Sequence, residues 1–184
     1  MILIGFTGTH GAGKGTITTY LIRKYGFAYF SVSEFLAQEV EQRGLTANRN
    51  ARAETANEYR AKSPTALMEA VYAIIDPTLA RVVLEPQYTP DEVHFIQSKG
   101  GLVIAVDATL ETRYARIQNR GSLKDAISFE EFKIMQELEM ESSNSNQQNL
   151  SQAMAVADVH LLNNGTIEEL EEALESELTR RNLV

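Results

Sequence analysis

The sequence of 184 residues contains no cysteine, which excludes disulfides, thiolate nucleophiles and zinc sites built from cysteine. Its three histidines are isolated from one another and do not suggest a metal cage. Basic residues are also few, 17 against 25 acidic ones, giving a formal charge of −8. This charge argues against a protein that binds nucleic acid by neutralising its phosphates, although it is compatible with a local basic pocket.

Long hydrophobic runs are missing as well. The best candidate for a membrane span, residues 66–76, is interrupted by Glu69 and Asp76 and is shorter than the roughly 20 apolar residues that a span needs. The apolar run at the N-terminus is too short for the core of a signal peptide, and no positive region precedes it. We therefore expect a cytoplasmic protein with no membrane partner.

The length and the composition, 43% hydrophobic and 23% charged residues, are typical of one globular domain. Short apolar runs alternate with helical patterns, which predicts the α/β class with a parallel sheet. Five runs rich in β-branched or aromatic residues are predicted strands: 2–6, 28–31, 81–85, 102–107 and 159–163.

Several helices carry start signals in which a capping oxygen and a carboxylate three residues later satisfy the first amides of the helix. The predicted pairs are Thr89 with Glu92, Ser128 with Glu131, and Thr166 with Glu169; Ser63 before Pro64 marks a further start. The last predicted helix has an apolar stripe formed by Ile167, Leu170, Leu174 and Leu178, which indicates a surface helix packed on the core.

The strongest functional signal is GTHGAGKGT at residues 8–16, between a predicted strand and a predicted helix. Its glycines let backbone amides converge on phosphate oxygens, the helix N-terminus adds positive potential, and Lys14 can reach the β- and γ-phosphates of a nucleotide. These are the features of a P-loop. The usual pattern has Ser or Thr directly after the lysine, whereas here Gly15 follows it and Thr16 comes next.

A dinucleotide-binding fingerprint is absent, so the predicted ligand is a nucleoside triphosphate. The predicted contacts to it are Gly8, Gly11, Ala12, Gly13, Lys14, Gly15 and Thr16. His10, a side chain of the same loop, is not a predicted acid or base. The alternative, a glycine-rich turn that binds nothing, explains the spacing and context less well.

The P-loop and five later segments resemble the nucleoside monophosphate kinase superfamily, which includes adenylate kinases, and within it a branch related to dephospho-CoA kinases. The later segments are FSVSEFLAQEVEQRGL at 30–45, TPDEVHFI at 89–96, VDATLETRYARIQNRG at 106–121, SFEEF at 128–132 and ADVHLLNNGTIEEL at 157–170. The resemblance implies ATP-dependent transfer of the γ-phosphate to a small phosphate-bearing acceptor, a nucleoside or deoxynucleoside monophosphate first. ATP and Mg²⁺ would be the cofactors, and small-molecule nucleotides the partners.

The resemblance also implies an architecture. Residues 1–184 would form a single three-layer P-loop kinase domain around a five-stranded parallel sheet. Its core would comprise 1–31, 81–120 and 150–184, with an acceptor-binding helical region at 32–80 and a short lid at about 121–127.

Arginines cluster before the predicted lid. Arg113, Arg116 and Arg120 are spaced i, i+3 and i+7, which places them along one helical face. In the resembling kinases lid arginines hold donor phosphates, so Arg116 and Arg120 join Lys14 as predicted catalytic residues, with Lys124 as a further partner. The alternative is a solvated basic face.

Other donor-side residues follow the strands, because ligands of open α/β sheets bind at the carboxyl ends of the strands. Glu85 ends the third predicted strand, where the family has an acid that helps to order Mg²⁺, so Glu85 and Thr16 are the predicted metal residues. Asp107 is an acid at the same edge, and a turn residue is an equal interpretation of it. In the resembling kinases the donor adenine packs against the loop after the last strand, so the resemblance implies that Asn164 and Gly165 contact the nucleobase. A turn before the Thr166 cap explains both residues fully.

The acceptor side departs from the family. Tyr88 and Ala37 stand where the resembling kinases have arginines, and neither can replace the planar fork of arginine on a phosphate. The predicted substrate-binding residues are Ser33, Glu34, Arg49, Arg52 and Arg60. A dephospho-CoA-like or other metabolite kinase, and a nucleotide-binding regulatory protein with little transfer activity, are the alternatives.

Overall fold

The computed structural model describes residues 1–119, 127–140 and 148–184, so Arg120, Lys124 and nearly all of the predicted lid lie outside the described residues. The strands are β1 (Ile2–Gly8), β2 (Ala28–Ser31), β3 (Arg81–Glu85), β4 (Leu102–Asp107) and β5 (Val159–Leu162). The helices in these ranges are α1 (Lys14–Tyr25), α2 (Val32–Gln42), α3 (Arg49–Lys62), α4 (Ala66–Ala73), α5 (Pro90–Ser98), α6 (Leu110–Asn119), α7 (Phe129–Met140), α8 (Leu150–Ala155) and α9 (Ile167–Arg180).

The five strands form one parallel sheet in the order β2-β3-β1-β4-β5. The α/β class and the parallel sheet are thereby confirmed. The central strand β1 pairs with both β3 and β4, and its residues from Leu3 to Gly8 are buried, which explains why its sequence is a continuous apolar run. This strand runs two residues beyond the predicted end, to Gly8, whereas β5 ends one residue early, at Leu162.

Two apolar clusters cover the two faces of the sheet. One contains residues of α2, α4 and α5, such as Val32, Met68 and Ile96. The other contains Ile17 and Leu21 of α1 together with the leucine stripe of α9. Helices therefore lie on both faces, in three layers. The stripe of α9 is buried as predicted except for its first member, Ile167, which is 56% exposed.

Helix starts follow local sequence where no distant partner interferes. Thr166 with Glu169 and Ser128 with Glu131 form reciprocal capping boxes. Thr89 accepts from the Glu92 amide, but the Glu92 carboxylate turns to Arg60 and to the Tyr88 amide, so the predicted third box is only half formed. Ser63 closes α3, and α4 begins at Ala66, later than Ser63 and Pro64 predicted.

None of the helices in the described ranges combines the length and the apolarity that a membrane crossing needs.

Candidate nucleotide-binding site

The P-loop connects the end of β1 at Gly8 to the start of α1 at Lys14. Three of its glycines have a positive φ and a close neighbour: Gly8 (φ 132°), Gly11 (φ 83°) and Gly13 (φ 111°). A Cβ at Gly11 would lie 2.9 Å from the Arg113 carbonyl, and one at Gly13 would lie 2.5 Å from Asn163 Nδ2. Any other residue at either position would strain the backbone and collide with a neighbour, so the loop requires glycine here.

The N-terminus of α1 is suited to an anion. The first amides of a helix have no acceptor within the helix, and the helix dipole places partial positive charge there. The first turn of α1 contains no acidic residue that would compete for these amides. Gly15 and Thr16 lie in this turn, Gly15 exposed and Thr16 half-buried, so both are accessible to a phosphate.

Lys14 and Glu85 bring opposite charges to the loop. Lys14 Nζ donates to the carbonyls of Gly8, at 2.6 Å, and Thr9, at 3.0 Å, which holds the ammonium over the loop. Glu85, at the carboxyl end of β3, is 7% exposed. Burial raises the pKa of its carboxyl, and the charge of Lys14 partly offsets that rise. Its Oε2 has no hydrogen-bond partner within the described part of the chain.

Arg113 is a buried residue that donates hydrogen bonds to the P-loop and its neighbours. It is 7% exposed, and its guanidinium donates to the carbonyls of Ala108 at 2.9 Å and His10 at 3.4 Å, and also to the Gln136 side chain. Burial lowers its pKa, but an arginine keeps its charge in proteins. The arginine therefore joins the loop to the end of β4 and to α7. Its i, i+4 spacing from the buried Ile117 was the sequence signal that could have predicted this burial.

Arg116 holds the loop after β5. Nη1 donates to the Asn163 carbonyl at 2.9 Å, and Nη2 donates to Asn163 Oδ1 and the Gly165 carbonyl, both at 3.2 Å. Arg113 and Arg116 thus bind backbone carbonyls after β4 and β5 respectively, and each has a structural role. The basic face that includes Arg120 stays a prediction. A catalytic role for Arg116 stays a prediction.

Asn163 links the loop after β5 to the P-loop, a role that the sequence did not suggest. Its Nδ2 donates to the Ala12 carbonyl at 2.7 Å, its amide donates to the Asp107 carbonyl at 2.7 Å, and the residue is 7% exposed. The next residue, Asn164, accepts from the Thr109 amide at 2.8 Å. Asn163 and Asn164, two polar residues directly after a strand, were the sequence signal for this link, but an ordinary turn explains such a pair equally well.

Asp107 also holds the P-loop in place, because its carboxylate is hydrogen-bonded to a residue of that loop. Its Oδ1 accepts from the Thr9 hydroxyl at 2.5 Å and from the Ala108 amide at 2.9 Å. The P-loop is therefore bonded through Thr9, His10 and Ala12 to three different neighbours. Such a loop is pre-organised, so ligand binding need not order it.

The predicted acceptor residues lie in α2 and α3. Ser33 and Glu34 are in the first turn of α2, half-buried and exposed respectively. Arg52 Nε donates to the Asn48 carbonyl of its own helix at 3.4 Å, and Arg49 Nη1 lies 4.0 Å from Met135 Sδ on α7. The start of α3 therefore contacts α7.

Arg60 differs from the other two arginines because it is buried, at 3% exposure, against Glu92, at 0%. Its Nε and Nη2 donate to Glu92 Oε1 at 2.9 and 2.8 Å, and its Nη1 donates to Asn57 at 3.3 Å. The guanidinium predicted to hold an acceptor phosphate is thus already engaged by a carboxylate. Glu92 was missed because the sequence assigned it to a helix cap.

A protein-family model described as an AAA domain, AAA_17, matches residues 7–133. The chain belongs to this AAA domain family. It is 27% identical over 175 residues to a UPF0200 protein of Pyrobaculum aerophilum, covering 94% of each chain. The fold is similar to that of shikimate kinase from Bacteroides thetaiotaomicron, with a TM-score of 0.62 and 14% identity over 97% of this chain and 98% of that one. It is also similar to that of deoxyadenosine kinase from M. mycoides with bound dATP, with a TM-score of 0.57 and 13% identity over 97% of this chain and 100% of that one. The resemblance to P-loop kinases is confirmed.

In this P-loop kinase-like domain, the residues at Glu85 fit a magnesium ion. Mg²⁺ prefers hard oxygen ligands and is usually held by one or two carboxylates together with substrate phosphates. Glu85 offers a buried carboxylate oxygen that has no hydrogen-bond partner among the described residues, beside the loop that would hold those phosphates. The described residues contain no group of three or more side chains that could hold a metal by themselves, so nucleotide oxygens would complete the coordination.

A groove leaves the P-loop along the protein surface. It begins at Gly15 and Thr16, passes between α1 and α9 beside Ile167, and reaches Arg23, with about 820 Å³ of open space. The groove therefore joins the phosphate-binding turn to the helix that follows Asn164 and Gly165.

Proposed function

We propose that this protein is an ATP-dependent phosphotransferase that transfers the γ-phosphate to a small phosphate-bearing acceptor, with nucleoside and deoxynucleoside monophosphates as the first candidates. The observation that carries the proposal is the P-loop, bonded to the surrounding structure at Thr9, His10 and Ala12, with Lys14 above it and the buried Glu85 beside it. A regulatory protein needs only nucleotide affinity, whereas a buried carboxylate oxygen that has no hydrogen-bond partner among the described residues suits metal-assisted transfer.

The donor side would work by positioning and charge. Amides of the P-loop and of the first turn of α1, together with the Lys14 ammonium, would bind the β- and γ-phosphates, and Thr16 and Glu85 would hold the metal. When bound, Mg²⁺ neutralises the charge that develops on the transferring group. Arg116, already directed toward the strand ends, adds positive charge, and Arg120 keeps the same predicted role.

The donor nucleoside would lie beside the loop after β5, near Asn164 and Gly165. The open groove, lined by Gly15, Thr16 and Ile167, begins close to this loop in sequence. Exposed Ile167 offers an apolar surface to a nucleobase at this point.

The acceptor would lie on the other side, next to α2 and α3. Arg49 and Arg52 supply its positive charge, with Ser33 and Glu34 nearby, while Arg60 acts through its ion pair with Glu92. One observation favours a second candidate function, a dephospho-CoA-like or other metabolite kinase. Tyr88 and Ala37 leave this side with fewer arginines than the resembling kinases have, and Glu92 engages Arg60.

The test is ADP formation from ATP and Mg²⁺ across all ribo- and deoxynucleoside monophosphates and dephospho-CoA. We expect one acceptor to stimulate turnover strongly, and we expect Lys14→Ala to abolish that turnover, because the β- and γ-phosphates lose their cation. Lys14→Ala should still fold, since the bonds of the Lys14 side chain to the carbonyls of Gly8 and Thr9 lie within one loop.

The matched control is Lys99→Ala, which removes one exposed positive charge directly after α5. It should have wild-type activity. Turnover that persists in Lys14→Ala would contradict the proposed chemistry, and turnover that no acceptor stimulates would favour the metabolite or regulatory alternatives.

A further inference from the structure

Two buried side-chain oxygens near the start of α1 have no hydrogen-bond partner among the described residues: the Thr18 hydroxyl and Glu85 Oε2. Thr18 is 4% exposed and Glu85 is 7% exposed. A buried hydroxyl without a partner destabilises the folded state, whereas valine would fill nearly the same space without that cost. Such a hydroxyl is expected where it gains a partner in another state of the protein, such as the ligand-bound state.

The register of the sheet directs the Glu85 side chain toward α1. Side chains alternate between the two faces of a strand, so Glu85 lies on the same face of β3 as Val83. Val83 belongs to the apolar cluster that contains Ile17 and Leu21 of α1. The Glu85 carboxylate, at the carboxyl end of β3, is therefore on the α1 side of the sheet.

The helix that carries Thr18 lies over β3. It contacts both β1 and β2, and β3 lies between these two strands in the sheet. Thr18 follows the buried Ile17 directly and lies one turn beyond Lys14, so it belongs to the buried stripe of α1 that faces the sheet. Since β1 and β3 are parallel, the carboxyl end of β3 is also at the edge where α1 begins.

The Thr18 hydroxyl and the Glu85 carboxylate thus share one buried space between α1 and β3. Burial raises the pKa of the Glu85 carboxyl, and the Thr18 side chain is among the neighbours that lower it, as expected of a donor close to this carboxylate. The fold therefore places a hydroxyl donor, otherwise without a partner in the described part of the chain, beside the acid that is the proposed metal residue.

We propose that Thr18 is a positioning residue for the metal site: its hydroxyl donates to the Glu85 carboxylate and thereby directs the second carboxylate oxygen toward the Mg²⁺ ion that accompanies the nucleotide. The proposal rests on the metal-binding part of the function proposed above. Carboxylates that bind metals are usually hydrogen-bonded themselves, because this second contact fixes their orientation. A hydroxyl provides the contact without neutralising the charge of Glu85, which leaves that charge to the metal.

The decisive variant is Thr18→Val, which removes the hydroxyl and nearly keeps the shape of the side chain. We expect the affinity for Mn²⁺, a spectroscopic substitute for Mg²⁺, to fall about tenfold in the presence of a non-hydrolysable ATP analogue. Electron paramagnetic resonance measures free Mn²⁺ directly, so the readout does not depend on turnover. The affinity for the analogue in EDTA should stay at the wild-type value. The thermal midpoint should not fall, since valine removes an unsatisfied buried hydroxyl.

Two further variants isolate the hydroxyl. Thr18→Ser keeps the donor and should bind Mn²⁺ with an affinity within twofold of wild type, even if the lost methyl group lowers the thermal midpoint. The matched control is Thr7→Val, because the Thr7 hydroxyl is also buried and also lacks a partner among the described residues. Thr7 follows Phe6, which belongs to the cluster on the α1 side, so the Thr7 side chain points to the opposite face of the sheet. Thr7→Val should leave the Mn²⁺ affinity unchanged.

Glu85→Gln separates this proposal from the proposed function. If Glu85→Gln lowers the Mn²⁺ affinity but Thr18→Val does not, the role of Thr18 is overturned and the metal role of Glu85 stands. The role of Thr18 is also overturned if Thr18→Ser or Thr7→Val loses as much affinity as Thr18→Val. If neither Glu85→Gln nor Thr18→Val changes the affinity, both assignments are overturned. The titration contains no acceptor, so the acceptor panel tests phosphoryl transfer independently.

Discussion

The bond between Asn163 and Ala12 provides a quantitative test of how the P-loop is held. Asn163→Ala removes the donor to the Ala12 carbonyl, which lies in a buried part of the loop. An unsatisfied buried carbonyl costs about 1–3 kcal/mol. Arg116 also loses its contact to Asn163 Oδ1, but it keeps two backbone carbonyls, so this loss is smaller. We expect the free energy of unfolding to fall by about 2–3 kcal/mol.

The same bond should influence nucleotide affinity. If about 1.4 kcal/mol of the lost stabilisation must be regained when the loop closes on a nucleotide, the affinity falls about tenfold. Urea denaturation measures the first effect, and titration calorimetry with an ATP analogue measures the second.

The matched control is Asp158→Ala, at the opposite end of the sheet. Asp158 Oδ2 accepts from the Val103 amide at 2.8 Å, a side-chain bond to backbone that likewise joins the β5 region to its neighbour. The Asp158→Ala substitution should lower the free energy of unfolding without changing the affinity for the nucleotide. If Asn163→Ala bound the ATP analogue as tightly as wild type, the argument that this bond organises the P-loop would be refuted.

Two further predictions concern glycines and pH. Gly13→Ala should lower both stability and ATP affinity, because φ at Gly13 is 111° and the new Cβ would meet Asn163. Gly15→Ala should instead raise the stability of the nucleotide-free protein by about 0.5–1 kcal/mol, since its Cβ would meet nothing within 4 Å and alanine favours the helix. Equal melting temperatures for these two variants would contradict the reasoning. Glu175→Gln should melt at a slightly lower temperature than wild type at pH 7 but at the same temperature near pH 2. Lys24 and Tyr25 lower the pKa of Glu175 to about 2, so its contribution is present above about pH 4.5 and disappears as the pH falls toward 2. A difference between Glu175→Gln and wild type that persisted at pH 2, or one that Glu172→Gln reproduced at pH 7, would exclude this origin.

Local signals predicted the fold class and the phosphate-binding loop. Apolar runs such as residues 102–107 are typical of buried parallel strands, and residues 8–16 contain the complete spacing of a P-loop between a strand and a helix. Both patterns depend only on residues that are close together in the sequence, so they could be predicted without the structure. The reciprocal caps at Ser128 and Thr166 were predicted for the same reason.

Predictions failed where a distant residue competed for the same group. Glu92 has the right spacing from Thr89 for a capping box, but Arg60, 32 residues away, takes one of its oxygens. Arg60 in turn looked like a free cation in a basic helix and is instead buried. A buried charge needs a partner, and only the packing of α3 against α5 decides which partner is within reach.

The sequence by itself determined that this protein has a parallel α/β sheet and a P-loop, because strand burial and phosphate binding are encoded in short contiguous patterns. The tertiary structure decided which polar side chains hold that loop and which remain available to ligands. Asn163 reaches Ala12 across 151 residues of sequence, and Glu92 binds Arg60 and the Tyr88 amide instead of completing a helix cap. Hydrogen bonds and ion pairs act over a few ångströms in space, so their partners are set by the order of the strands and the packing of the helices rather than by spacing along the chain.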